Sequence, residues 1–171
     1  MKELKLFYRG RVITLEVYSV DGRTREIVRH RGSVGILPVE GKYVYLIRQY
    51  RYPLDGYIVE IPAGTLEEGE SPEECALREL KEETGLIADE LHKMFEAYLV
   101  PGYGTEKMHF FLAKVKEKGN METEEDERIE PFRVTLEEAL SMVERGEIVD
   151  AKTMLALLWY SSHLDQLGDL F

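Results

Sequence analysis

The sequence predicts a mixed α/β (α+β) domain, and three observations carry that expectation. Alternating apolar and polar runs fill most of the first half of the chain and recur between Lys107 and Lys116. One strongly capped helix interrupts them after Ser71, and two further capped helices close the chain. With 171 residues, 44% of them hydrophobic, the chain suits one globular domain with a substantial core. Residues 1–32 read as an N-terminal β segment and residues 33–171 as the main domain.

In chain order, Leu4 to Tyr8 and Val12 to Tyr18 alternate, Asp21-Gly22 is a hairpin turn signal, and Arg25 to His30 continues as a third strand. Three such polar strands cannot form a core alone and must lean on the rest of the chain or on a second copy. Ser33 to Val39 and Tyr43 to Gln49 flank a second turn, Glu40-Gly41-Lys42, and Tyr57 to Pro62 is a further strand running into Ala63-Gly64. Leu91 to Val100 and Lys107 to Lys116 read as strands, separated by the Pro- and Gly-rich turn from Pro101. The run from Met121 to Glu130 carries Glu122, Glu124, Glu125, Asp126, Glu127 and Glu130, a like-charge stretch that by itself signals a solvated loop. Thr135 to Glu138 opens a helix that Gly146 stops, and Asp150 caps another whose Met154, Leu155, Leu157, Leu158 and Trp159 should be core. Trp159 among leucines at helical spacing reads as packing rather than a stacking platform.

The first helix carries the chemistry. Ser71 caps it, Pro72 takes its first position, Glu74 closes the capping box, and Gly85 supplies the left-handed stop. At about 100° per residue, Glu79, Glu82 and Glu83 share one narrow arc, beside an apolar arc of Ala76, Leu77, Leu80 and Thr84. Like charges at this spacing repel by a few tenths of a kcal/mol per pair. Arg78 can relieve Glu82, and an all-oxygen cluster suits a hard dication, Mg²⁺ or Mn²⁺. The residues from Gly64 to Leu86 fit G-x5-E-x7-R-E-U-x-E-E-x-G-U, with U aliphatic, at Gly64, Glu70, Arg78, Glu79, Leu80, Glu82, Glu83, Gly85 and Leu86.

That pattern resembles the box of the Nudix hydrolases, which cleave nucleoside diphosphates linked to another group. The resemblance implies an α/β/α sandwich with a central mixed sheet, joined here to the N-terminal antiparallel sheet. It implies Mg²⁺ or Mn²⁺, more than one ion, at Glu79, Glu82, Glu83 and the Ala63 carbonyl, with Gly64, Glu70, Arg78 and Gly85 supporting the box. The stretch from Arg48 to Arg51, followed by Glu60-Ile61-Pro62-Ala63-Gly64, is similar to that of the ADP-ribose pyrophosphatase branch. There the second arginine meets substrate, which assigns Arg51, with Arg48 and Glu60 beside it. Pro101 lies 16 positions after Gly85 and resembles that branch's proline marker, which adds Gly102 and Glu106 to the substrate set; the usual preceding serine is replaced by Val100. A Glu-x-Glu of the branch's acidic loop resembles Glu125-Asp126-Glu127 and implies Glu125 as general base and Glu127 as a further ligand, with Glu82 close to the chemistry. The implied reaction is metal-dependent hydrolysis of ADP-ribose to AMP and ribose 5-phosphate. A nucleotide sugar, a dinucleoside polyphosphate, or ADP-ribose sensing without hydrolysis are the alternatives. The branch also implies a homodimer through the N-terminal sheet.

Composition excludes other classes. A net charge of -11 argues against broad nucleic-acid binding, and no apolar run is long enough for a membrane span or a signal peptide. The single Cys75 rules out an internal disulfide and fits a cytoplasmic setting, and it reads as a packing residue rather than a nucleophile. His30, His92, His109 and His163 lack metal-ligand spacing.

Overall fold

Seven strands form a central mixed sheet with helices on both faces, and three more form a separate antiparallel sheet at the N-terminus. The structure, a computed structural model, describes residues 2–121 and 128–168, with the backbone alone for 2–6. The small sheet runs β1 (Lys2–Arg9), β2 (Ile13–Val20), β3 (Arg23–His30) in that order, and Asp21 and Gly22, at φ 51° and 75°, make the turn between its last two strands. It leans on the main domain as its polar pattern requires. Val28 N–H donates to the Tyr103 carbonyl at 2.8 Å, and Thr105 N–H to the Val28 carbonyl at 3.0 Å.

In the large sheet, β4 (Ser33–Glu40) lies parallel to β9 (Lys107–Lys118), and the other pairings are antiparallel. Seven consecutive residues of β4 are buried, as expected of a strand covered on both faces. Alternation divides the core in two. Leu37, Val39 and Phe110 face α2 (Leu136–Glu144) and α3 (Ala151–Ser162), while Val34, Ile36 and Phe111 face α1 (Pro72–Thr84).

The sheet opens where the site will form. β4 pairs with β5 (Tyr43–Arg51) only next to their hairpin, at Val39 with Val44 and Glu40 with Tyr43. Beyond it the two strands part, and β6 (Gly56–Glu60) completes β5 while β7 (Ala63–Thr65) completes β4. Ile61 and Pro62 cross the gap. Their backbone is satisfied by the Thr153 hydroxyl, which accepts from Ile61 N–H at 2.8 Å, and by Ile36 N–H, which donates to the Pro62 carbonyl at 2.8 Å.

Several expectations need correction. The strand expected from Leu91 begins at Leu86, directly after the helix, and runs to Tyr98 as β8. The acidic run precedes a further strand, β10 (Ile129–Thr135), rather than the final helices. Pro131 and the flanking charges hide it in the sequence, and both are tolerated because β10 is an edge strand paired only with β5. Leu77 of α1 is exposed, and Cys75 and Glu83 are buried with Ala76, Leu80 and Thr84. In α3, Leu155 and Leu158 are exposed while Lys152, Thr153, Ala156, Leu157 and Tyr160 are buried. The stripe a helix buries is chosen by where the sheet lies, not by which residues are most apolar. Trp159 packs with Phe95 and stacks on His163. No helix among the described residues is long and apolar enough to cross a membrane.

Both ends of α1 are fixed as the sequence implies. Ser71 and Glu74 exchange capping-box hydrogen bonds, and Gly85 sits at φ 69°. Gly85 is needed twice, because a Cβ there would lie 2.8 Å from the Gly119 carbonyl oxygen. Replacing Ser71→Ala should lower stability by about 1 kcal/mol in chemical denaturation, with the fold retained.

Candidate active site

The carboxylates of the box are organised by one guanidinium. Arg78 donates from Nε and Nη2 to the two oxygens of Glu70, at 2.8 and 3.1 Å, and from Nη1 to Glu79 at 2.7 Å and Glu82 at 2.9 Å. The expected relief of Glu82 is present, and Arg78 serves Glu79 as well. The charge-assisted pair with Arg78 holds the Glu70 carboxyl at about 2, well below the usual carboxylate range. Glu70 also accepts from Glu67 N–H at 2.9 Å, so it ties the loop to the helix, the bracing role expected for it.

Glu83, expected as a metal ligand on the arc of Glu79 and Glu82, is the buried member of the three. It is 3% exposed, and its Oε2 accepts from Ala63 N–H at 2.9 Å. The helix thereby grips the strand at Ala63, which lines the same cavity. Gly64 allows the close approach of α1, because a Cβ there would overlap the Glu79 carboxylate. Cys75 is buried, and that burial pushes its thiol up to about 12, which suits packing and not nucleophilic attack.

Glu79, Glu82, Glu83 and Ala63 line a cavity of about 610 Å³. Its lining also includes Gln49 and Arg51 from β5, Arg11 and Val12 from the turn between β1 and β2, and Arg31 from the link between β3 and β4. The box carboxylates therefore share one cavity with arginines contributed by the N-terminal sheet. Arg11, Arg31 and Gln49 were not foreseen, and no local spacing marks them, since only the packing of the small sheet on the large one gathers them here. Among the described residues, no three Asp, Glu, His or Cys side chains form a ready-made ion site. The oxygen donors present, three carboxylates and a carbonyl, still fit Mg²⁺ or Mn²⁺; in this structure Glu79 and Glu82 are drawn to Arg78 and Glu83 to a backbone N–H.

Arg51 lies in the cavity wall in a fixed pose. Its Nε and Nη2 donate to the two oxygens of Glu60, each at 2.6 Å. Glu60 is 1% exposed and also meets Lys152, which lies 3.0 Å from Asp150. Burial disfavours the Glu60 carboxylate, but Arg51 and Lys152 outweigh it and keep the group below its usual value. Glu60 thus supports Arg51 and does not itself line the cavity.

Four other expected substrate residues lie elsewhere. Arg48 is on the opposite face of β5 from Arg51, because side chains alternate, and it sits over the Tyr57 ring and 3.6 Å from Glu130. Pro101 and Gly102 belong to an exposed turn whose backbone is tied to β3, and Glu106 accepts from Ser33 Oγ at 2.8 Å; none of the three lines the cavity. Glu125 and Glu127 lie outside the described residues.

The NUDIX domain family matches residues 29–157. The chain is 47% identical over 161 residues to the ADP-ribose pyrophosphatase of Bacillus subtilis (strain 168), covering 88% of this chain and 85% of that one. It is 41% identical over 159 residues to the methanol dehydrogenase activator of Bacillus methanolicus, with 88% and 85% covered. It is 40% identical over 129 residues to the GDP-mannose pyrophosphatase of Yersinia enterocolitica, with 70% and 67% covered. The crystal structure of an ADP compounds hydrolase matches with a TM-score of 0.81 at 26% identity, over 99% of this chain and 98% of that one.

Gly64→Ala should displace the Glu79 carboxylate, so turnover falls at least tenfold while thermal unfolding moves little, since the clash is with the far end of a flexible side chain. The depressed Glu70 carboxyl contributes stability above its unfolded value of 4.5, and that contribution disappears as pH falls through about 2. Urea unfolding of wild type and Glu70→Gln should accordingly differ most near neutrality and converge as the solution is acidified.

Proposed function

Because the chain belongs to the NUDIX domain family of hydrolases, we propose that its substrate is ADP-ribose, hydrolysed at the pyrophosphate to AMP and ribose 5-phosphate. The observation that carries this reading is a cavity lined both by the box carboxylates and by arginines. An anionic pyrophosphate can use both, the arginines directly and the carboxylates through a dication, whereas a neutral substrate has no use for either.

Water adds to one phosphorus, the bond from that phosphorus to the bridging oxygen breaks, and the attacking water loses a proton. Divalent ions bound at Glu79, Glu82, Glu83 and the Ala63 carbonyl would offset phosphate charge and acidify water. The protein's own groups do the rest. Arg78 keeps Glu79 and Glu82 aimed into the cavity against their mutual repulsion. Glu83 fixes Ala63 through its N–H, so the strand and the helix present their oxygens together. Arg51, locked on Glu60, offers a positioned cation to a phosphate oxygen at little entropic cost. Glu125 is assigned as the base that takes the proton and Glu127 as a further ligand, while Pro101, Gly102 and Glu106 have no substrate contact in this reading. The ion is Mg²⁺ or Mn²⁺, with more than one bound.

The partition into residues 1–32 and 33–171 is retained as a proposal, with the first part serving a homodimer. Exposed Phe7, Tyr8, Val12 and Ile13 support that role. The enzyme is placed in the cytoplasm. A second substrate reading, hydrolysis of another nucleotide sugar, is favoured by the likeness to a GDP-mannose pyrophosphatase.

The deciding experiment incubates the protein with ADP-ribose, GDP-mannose and diadenosine polyphosphates, with and without Mg²⁺, and identifies products by mass. AMP and ribose 5-phosphate should appear fastest and only with metal. Faster cleavage of another compound reassigns the substrate, and binding of ADP-ribose without products makes the domain a sensor. Glu83→Gln should remove most turnover yet keep its melting temperature near wild type, because the carboxamide oxygen can still accept from Ala63 N–H. Glu83→Leu, which cannot, should lose both.

A further inference from the structure

Buried polar groups are nearly always hydrogen-bonded, because a carbonyl oxygen that gives up water without gaining a donor is left at a cost. Gln49 departs from that rule in the cavity wall. It is 7% exposed, and its Oε1 has no hydrogen-bond partner among the described residues. Its backbone is enclosed between Ile58 of β6 and Ile129 of β10. Alternation along β5 places its side chain on the face of Arg51, and both residues line the cavity. The residue that carries the unpaired oxygen thus stands in a wall that a substrate would touch.

The chemistry of the donor can be narrowed. An amide oxygen only accepts, and so do ionised phosphate oxygens, so a pyrophosphate cannot satisfy Gln49 Oε1. Glu79, Glu82 and Glu83, which line the same cavity, are acceptors as well. The donors on a nucleoside diphosphate sugar are its sugar hydroxyls and the N–H groups of its base. A base needs a broad apolar or aromatic surface to lie on. Among the described residues no aromatic side chain lines this cavity, whose apolar lining is Val12, Ala63 and Leu66. A sugar needs only hydrogen-bonding groups of this kind.

We propose that Gln49 is a substrate-binding residue whose Oε1 accepts a hydrogen bond from a sugar hydroxyl, so that it selects nucleoside diphosphates carrying a hydroxylated sugar at this wall. The assignment rests on the nucleoside diphosphate substrate class proposed above. The hydroxyl can come from the nucleoside's ribose or from the sugar beyond the pyrophosphate, and the same chemistry recognises either.

Isothermal titration of wild type and Gln49→Met tests this with three probes: ADP-ribose, methyl ADP, which lacks the distal sugar, and ADP-ribose without the 2′- and 3′-hydroxyls of its adenosine. ADP-ribose should bind the variant about tenfold more weakly, as for a hydrogen bond whose partner is left unpaired. The penalty should vanish with methyl ADP if the distal sugar is the donor, and with the dideoxy compound if the adenosine ribose is. Equal affinity of wild type and variant for ADP-ribose would mean that water alone serves Oε1, and an equal loss with all three probes would mean that Gln49 merely shapes the wall; either overturns the proposal. Gln49→Asn, which withdraws the carboxamide by one methylene, gives the same readout if the methionine variant does not fold. AMP release by wild type with Mg²⁺, measured in parallel, separates the two readings. Gln49-dependent binding without AMP release defeats hydrolysis and keeps Gln49. AMP release with unchanged binding in the variant does the reverse, and wild type that binds none of the probes defeats both.

Discussion

Arg78 is the interaction on which the site depends. A helix that places Glu79, Glu82 and Glu83 on one arc, with Glu70 reaching it from the preceding loop, concentrates negative charge that would drive the side chains apart. A single guanidinium spans Glu70, Glu79 and Glu82 with bonds of 2.7 to 3.1 Å. Its planar fork suits this task, where a lysine would satisfy fewer oxygens with less directional control. The same contacts anchor the loop to the helix, so the electrostatic solution is also the structural one.

The open seam in the sheet supplies the second half of the site. Had β4 and β5 stayed paired along their length, no chain could cross between them and Ala63 would not meet α1. Their separation admits β6 and β7, and the crossing at Ile61 and Pro62 is closed by hydrogen bonds from both sides. Glu60 sits beside this crossing and is neutralised by Arg51 and Lys152. A carboxylate buried to this degree needs both partners, and one of them thereby becomes a fixed cation in the cavity wall.

Overall charge hides the positive groups that the cavity holds beside its glutamates. The chain carries a net charge of -11, yet its cavity gathers Arg11, Arg31, Arg51 and Arg78. Two of these come from the N-terminal segment, which is thus a wall of the cavity as well as a candidate surface for a second copy. Net charge governs long-range approach, whereas recognition is set within a few ångströms.

What the sequence determined by itself was everything encoded at short range. Ser71, Glu74 and Gly85 set the limits of α1, Asp21-Gly22 set a turn, and the spacing of Gly64, Glu70, Arg78, Glu79, Glu82 and Glu83 named the family, because caps, turns and helical periodicity act between neighbours. The tertiary structure decided which faces those elements bury and which distant residues meet. It buried Glu83 and Lys152 and exposed Leu77, Leu155 and Leu158. It built β10 over Ile129–Thr135, where no strand was expected, and it brought Arg11, Arg31 and Gln49 to one cavity. Those outcomes depend on sheet register and on packing between segments far apart in the chain, and no spacing within a single segment records them.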